Sequence, residues 1–371
     1  MAFNPELLVT RHPIVDRNRE VAFQRLKIIS PEAEILNPFM LKLANIEIPH
    51  AVYFVPLGWA QDAVLLNKLA RDMIPLASPE DIAGELGESA RQSGFRVALR
   101  LTEELAPRPA SDFVVADWNA GIKATPDTIY TDLHTPEDAQ QARATTAMYF
   151  SGDFLMQECP AVAGNKRMNP SHALILEIMG AVQQEAEPKV IETLFKRDVT
   201  LSFKLLRYIN SPWFGLVAQV ESVRHALSII GYQQLLKWLT LLAVTAGSEG
   251  SPALTHTAMV RAKLMELIGA KMLDKYDSDN LFVTGMLSML DRIMGVPFDE
   301  ILQHVNLPAN VKEALVNGEG RYLRYLQLAQ ACEGLPLPEE IELDDIDLKA
   351  VNLAHLDAIE WATQAVKTVA S

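Results

Sequence analysis

Between residues 198 and 231 the apolar positions recur at helical spacing. Leu201, Leu205, Leu206 and Ile209 return every three or four residues, which places them on one face of a helix that Asp198 is suited to cap. Asn210, Ser211 and Pro212 stop that helix. Ser222 is suited to cap a second one, with Val223, Leu227 and Ile230 on its inner face and Gly231 at the left-handed position that closes it. The pattern predicts a helical hairpin, with Trp213 and Phe214 available to fill the gap between its arms. Further helices are expected over 171–187, with Leu174, Ile178, Ala181 and Val182 on one face, and from about Lys349 onward. Met286, Met289 and Met294 fall at near-helical spacing and are read as core filling.

The first 165 residues are patterned differently. Short β-rich runs at 7–10, 20–29, 51–55, 96–101, 113–116 and 128–131 alternate with helix-like stretches at 59–72, 79–93 and 136–146. Such alternation predicts parallel β/α units. A full eight-unit barrel typically takes about 200 to 250 residues, so an abbreviated or distorted TIM-barrel-like fold is expected. The stretch CPAVAGNKRMNPS at 159–171 mixes proline, glycine and polar residues and predicts the boundary. The division expected is an α/β domain over 1–165 and an all-α domain over 166–371, the latter ending in an acidic linker at 339–347 and a final helix.

A chain of 371 residues with 49% hydrophobic content can bury two ordinary cores. No apolar run of about 18 residues is present, and the opening MAFNPELLVTRHP lacks the layout of a secretion signal, so a cytoplasmic protein without a membrane span is expected. Cys159 and Cys332 read as small buried hydrophobes. A formal charge of −14 argues against nucleic acid, and Lys204, Arg207, Arg224, Lys237, Arg261 and Lys263 are read as part of a mixed-charge surface. Walker, GxGxxG, GxSxG and HExxH patterns are absent, and the glycine-serine stretch 247–252 reads as a connector.

The pattern D-x-x-L-S-x-K-L-L-R-x-I-N-S-x-x-F-G from Asp198, followed by S-V-x-x-A-L-x-x-I-G and Leu235-Leu236-Lys237-Trp238-Leu239, resembles the HDOD domain. Arg261, Ala262 and Glu266, the run from Phe282, Leu307-Pro308 and Glu313-Ala314-Leu315 extend the resemblance over roughly residues 170–335. It implies an all-helical bacterial signalling module related to HD-type phosphohydrolases. Those enzymes hold a metal through a His-Asp pair. Here all eight histidines are followed by other residues, and Gly231-Tyr232 is followed by Gln233, not the proline of the HD-GYP hydrolases.

The opening RHPIVDRN from Arg11, with Glu20 to Leu26, GFRVALRL from Gly94, FVVAD from Phe113 and FSGDFL from Phe150, resembles the EAL domain, the barrel that hydrolyses cyclic di-GMP with two divalent metals. Against that family's pattern, Gln24 stands for the motif glutamate, Arg100-Leu101 for paired aspartates, Val115 for the lysine, Val55 for an asparagine and Ser151 for the closing glutamine. Asp117 alone is retained, and Arg100 is expected to pair with it. A degenerate EAL-like domain followed by HDOD implies a non-catalytic signal-transduction or scaffold protein with both phosphohydrolase sites lost. No catalytic, cofactor or metal residue is expected, and any nucleotide contact would lie near Asp117 and Arg100. Other signalling proteins are the expected partners, and a homodimer is left open. The alternative is a cyclic di-GMP binding protein or weak cyclic-dinucleotide phosphodiesterase.

Overall fold

The structure, a computed structural model, describes residues 4–30, 32–45, 53–60, 73–157, 168–210, 219–246, 252–305, 307–338, 341–343 and 345–370. Eight short strands close into a barrel in sequence order: β1 (Thr10–Val15), β2 (Val21–Lys27), β3 (Tyr53–Pro56), β4 (Met73–Ala77), β5 (Ala98–Leu101), β6 (Phe113–Asp117), β7 (Thr128–Thr131) and β8 (Tyr149–Phe150). From β2 to β8 the neighbours are parallel, whereas β1 runs antiparallel to both β2 and β8.

The expected abbreviation therefore falls on the connections and not on the strand count. β1 turns directly into β2 where the Asp16 carboxylate accepts from the N–H groups of Asn18 and Glu20. No helix separates β5 from β6, and among the described residues the helices between strands are Ala33–Asn45 and the short Pro79–Ala83, Glu85–Gln92 and Pro136–Arg143. The strand expected at 7–10 is displaced to Thr10–Val15, and Pro5–Leu7 forms a 3-10 turn. β4 and β8 escaped the sequence reading. β4 is buried at all five positions and contains Pro75, so it shows neither alternation nor a proline-free run. Of the helix expected at 59–72, residues 61–72 lie outside the described residues.

Inside the barrel, Phe23, Phe54, Phe113 and Tyr149 meet edge to face, with ring centroids 4.9–6.2 Å apart. Ile14, Ile74, Leu76, Ala98, Val115 and Ile129 complete this core.

The chain forms two compact units. One comprises Met1–Cys159, Ser251–Val260 and Gln327–Ser371, and the other Pro160–Gly250 and Arg261–Leu326. Residues 251–260 and 327–371, including the final helix Leu348–Ala370, thus cluster with the barrel and not with the other helices. The physical reason is buried polarity on the barrel's outer side. The Arg11 guanidinium, fully buried, donates to Gln24 Oε1 and Thr257 Oγ1, each at 3.2 Å, and to His256 Nδ1 at 3.5 Å. The Asn352 amide accepts from Val9 N and donates to Leu7 O, behaving as a strand partner for residues 7–9. Ion pairs Lys42–Asp357 and Lys349–Glu34 tie the final helix to Ala33–Asn45.

The helical unit follows the sequence pattern closely. Asp198 Oδ1 accepts from Thr200 N at 2.9 Å and Leu201 N at 3.2 Å, starting the helix Val199–Ile209. Asn210 then exchanges two 2.8 Å hydrogen bonds with the backbone of Val220. Residues 211–218, including Trp213 and Phe214, lie outside the described residues. The next helical stretch, Val223–Ala246, is broken at Gly231, whose φ of 73° favours glycine but whose ψ of 173° is extended and not that of the left-handed helical cap expected there. It is the one described helix long and apolar enough by composition to cross a membrane, and its apolar side chains pack against Pro170–Gln183 and Lys275–Leu287. Met286, Met289, Met294 and Trp238 are buried, and so is Cys332, whereas Cys159 lies outside the described residues.

Two buried histidines of the barrel unit, His256 and His355, and the half-buried His12 make it acid-sensitive. Burial, reinforced by Lys27, Arg25 and Arg11, lowers His12 to about 3. Burial and then Arg11 lower His256 and His355 to about 3. The folded state keeps these rings neutral, while the unfolded chain takes up protons near pH 6.5, so stability is full above that pH and falls toward pH 3. Each ring costs about 1.4 kcal/mol per pH unit in that window. Urea unfolding at pH 7.5 and 5.5 is expected to show this loss, with a shallower slope in His355→Gln.

Candidate functional site

Strand alternation decides what the barrel presents at its open end. Since Phe23, Ala98, Val115 and Ile129 point inward, so do the residues two positions on: Arg25, Arg100, Asp117 and Thr131, with Lys27 one step beyond Arg25. On antiparallel β1, His12 and Thr10 stand opposite Arg25 and Lys27. All of these lie toward the carboxyl ends of the parallel strands.

The charges there form a mesh. Arg100 and Asp117 approach to 3.9 Å, and Lys27 and Asp132 to 3.8 Å. The Thr131 hydroxyl lies 3.0 Å from Asp117 Oδ1 and 2.8 Å from Asp132 Oδ2, and donates its single hydrogen to one of them at a time. Asp132 takes the left-handed conformation, with φ of 57°. Burial works to raise its pKa, but the hydrogen bond with Asp117, the charge of Lys27, the Thr131 hydroxyl and the charge of Arg25 outweigh that and bring it to about 2. Arg25 is only 2% exposed; burial and then Arg100 lower it to about 10, opposed by Asp132 and Asp117, and it stays charged at neutral pH. Burial and then Arg25 lower Lys27 as well. Three cations therefore face two carboxylates, a locally basic site in an acidic chain.

The chain also returns to this end from far along the sequence. Cys332 O accepts from Arg11 N at 2.8 Å, and Gly334, with φ of 92°, lies against the His12 ring. A Cβ at Gly334 would come within 2.6 Å of that ring, so only glycine fits the approach.

Arg100 and Asp117, singled out from the sequence, are brought together. Gln24 is not part of the site. It lies between the inward residues Phe23 and Arg25, faces out and accepts from Arg11, so Arg25 is the β2 residue offered to the open end. Val55 and Leu101 also face outward, next to inward Phe54 and Arg100, while Val115 is sealed in the barrel core and Ser151 Oγ donates to Pro13 O at 2.7 Å. Arg25, Lys27, His12 and Asp132 were missed. β2 carries apolar residues on both faces, so its period of two does not say which face is inside. The EAL resemblance implies two divalent metals, and these residues do not fit them. The two carboxylates are already engaged by cations, three basic groups face the same space, and no set of three His, Cys, Asp or Glu side chains suited to a metal occurs among the described residues.

The helical unit has a second charged cluster, closed where the first is open. Lys237 Nζ donates to Glu266 and, at 2.9 Å, to Asp279, while its ammonium lies 4.8 Å from the centre of the Phe282 ring. Lys263 reaches Glu266 at 2.8 Å and Lys275 reaches Asp279 at 3.0 Å. Burial would raise Glu266, but Lys237 and Lys263 hold it below the usual carboxylate range. Asp277 accepts from Arg321 and, at 2.5 Å, from Tyr322, whose hydroxyl burial and Asp277 push up to about 12. Of the cations noted in the sequence, Lys237, Lys263 and Arg224 are ion-paired and Arg261 donates to Ser288, so they do not make one basic face.

Residues 169–304 match the HDOD domain family. This chain carries an HDOD domain. The domain spans the helices from Pro170–Gln183 to Phe298–Leu302 and contains the Lys237–Glu266–Asp279 cluster. Among curated proteins, the chain is 23% identical over 236 residues to the uncharacterized protein YuxH of Bacillus subtilis, covering 62% of this chain and 57% of that one. It is 26% identical over 203 residues to the cyclic di-GMP phosphodiesterase CdgJ of Vibrio cholerae, covering 54% and 46%. The chain thus spans about half the length of these relatives. A solved EAL domain of Xanthomonas citri FimX in complex with c-diGMP covers 40% of this chain and 86% of its own, at 8% identity and a TM-score of 0.28, too loose a likeness to carry an argument.

Removing the ammonium from the HDOD cluster tests its role. Lys237→Met leaves Glu266 and Asp279 buried beside one lysine each, and is expected to cost about 3 kcal/mol, near the lower end for breaking a buried pair. Urea unfolding measures it, and an unchanged midpoint would show the cluster to be dispensable.

Proposed function

We propose that this protein is a signalling protein of the cyclic di-GMP type that acts through protein contacts and does not hydrolyse the nucleotide. The observation that carries the reading is the barrel's open end, where Asp117 and Asp132 are engaged by Arg100, Lys27 and Thr131 and three basic groups oppose a divalent cation. The HDOD domain supports it from the other half of the chain, since its buried carboxylates Glu266 and Asp279 are occupied by lysines. Titration with cyclic di-GMP, with and without Mg²⁺ or Mn²⁺, followed by product analysis, tests the reading. No linear dinucleotide product is expected under any condition, and metal-dependent turnover would sink it.

A second reading is that the barrel keeps affinity for cyclic di-GMP without turnover. Arg25, Lys27 and Arg100 favour it, since clustered cations in a partly desolvated cleft attract a phosphodiester. It predicts binding that is independent of metal, weakens with salt and falls about tenfold or more in Arg100→Glu, as loss of a charge-assisted contact would give. Arg100 is half exposed, so circular dichroism should show that variant folded. Equal affinity in wild type and variant would place the nucleotide elsewhere.

A further inference from the structure

Two arginines of the barrel are buried, and they are treated differently. Arg11, on the outer side, donates to Gln24, His256 and Thr257. Arg25, 2% exposed on the inner side, makes no hydrogen bond and no ion pair with any described residue, and its Nε is wholly shielded from solvent. An arginine cannot shed its proton on burial, so a guanidinium without an acceptor is costly until one reaches it.

The position of Arg25 along β2 gives it one direction from which an acceptor can come. Two residues inward lies Phe23, part of the aromatic core, and two residues outward lies Lys27. Around the rim the side chains of Lys27, Asp132, Arg100 and Asp117 are between 32% and 46% exposed. The approach from solvent is therefore polar, above an apolar floor. The rim charges are already matched, Lys27 by Asp132 and Arg100 by Asp117. His12, opposite Arg25 on β1, is held neutral at pH 7. The charge left over is the single one on Arg25.

We propose that the open end of the barrel binds a small carboxylate, whose two oxygens accept from Nε and one terminal N–H of the Arg25 guanidinium. One negative charge closes the balance of this site, and a planar carboxylate matches the parallel N–H groups of a guanidinium. A phosphate carrying two charges would exceed that balance, and its second charge would be repelled by Asp117 and Asp132, both of which act on Arg25. The inference goes beyond the proposed function, since its ligand is not cyclic di-GMP and it holds whether or not the nucleotide reaches the rim through Arg100.

Saturation-transfer NMR on the full chain with sodium acetate, at an ionic strength held constant with sodium chloride, tests it. Transfer to the acetate methyl is expected to saturate with a Kd of about 10 mM or tighter. Binding is expected to weaken about tenfold or more in Arg25→Met, as for loss of a charge-assisted pair of hydrogen bonds. That substitution removes a buried charge and is expected to fold, which circular dichroism checks. Arg25→Lys keeps the charge without the fork, is also expected to bind more weakly, and carries the test should the methionine variant not fold. No saturation up to about 100 mM acetate, unchanged binding in a folded Arg25 variant, or inorganic phosphate at pH 8 binding more tightly than acetate, read by its displacement of acetate, would overturn the proposal. The last outcome assigns the site to phosphate. Failure to bind acetate removes this site alone, because turnover and Arg100-dependent affinity are read with cyclic di-GMP. Turnover removes the non-catalytic reading whatever acetate does.

Discussion

A guanidinium with no access to water sets much of the organisation of this chain. Arg11 is buried on the outer side of the barrel, and an arginine cannot shed its proton to escape the cost of burial. It must be hydrogen-bonded where it sits, and its acceptors come from β2 through Gln24 and from residues more than 240 positions away through His256 and Thr257. Because the guanidinium can only donate, His256 accepts at Nδ1 and is left to donate from Nε2 to Thr363 on the final helix, 3.3 Å away. One side chain thereby binds three distant segments into the barrel unit. Its charge also helps keep His256 and His355 neutral.

The barrel and the HDOD domain answer the same electrostatic problem in different ways. At the barrel's open end the cations outnumber the carboxylates, so two acids are neutralised and positive charge is left over toward solvent. In the HDOD domain the carboxylates are deep and each is matched by ammonium groups, with Lys237 shared between Glu266 and Asp279. The first arrangement leaves charge to offer a ligand, while the second is a closed network that stiffens the packing between helices.

Local signals carried the helical half. Asp198 as a cap, Gly231 as a break and the buried stripe of Leu201, Leu205 and Ile209 each depend on a few consecutive residues, and the HDOD motif lies in that same stretch. The final helix and the pairing of Arg100 with Asp117 were also legible. In the barrel, β6 and β7 stood where their β-branched and aromatic runs placed them. β4 and β8 did not show, since one is apolar throughout and the other is only two residues long.

The sequence by itself determined the helices, their caps and the absence of familiar catalytic motifs, because those features are written in neighbouring residues. Only the tertiary structure decided that Arg25 and not Gln24 faces the barrel's open end. A strand buried on both faces has no polar side to mark its orientation, and closure of the barrel is what makes one face the inside. The same holds for residues 251–260 and 327–371. Their place with the barrel follows from hydrogen bonds that Arg11, Leu7 and Val9 require once buried, and no local pattern encodes partners hundreds of positions away.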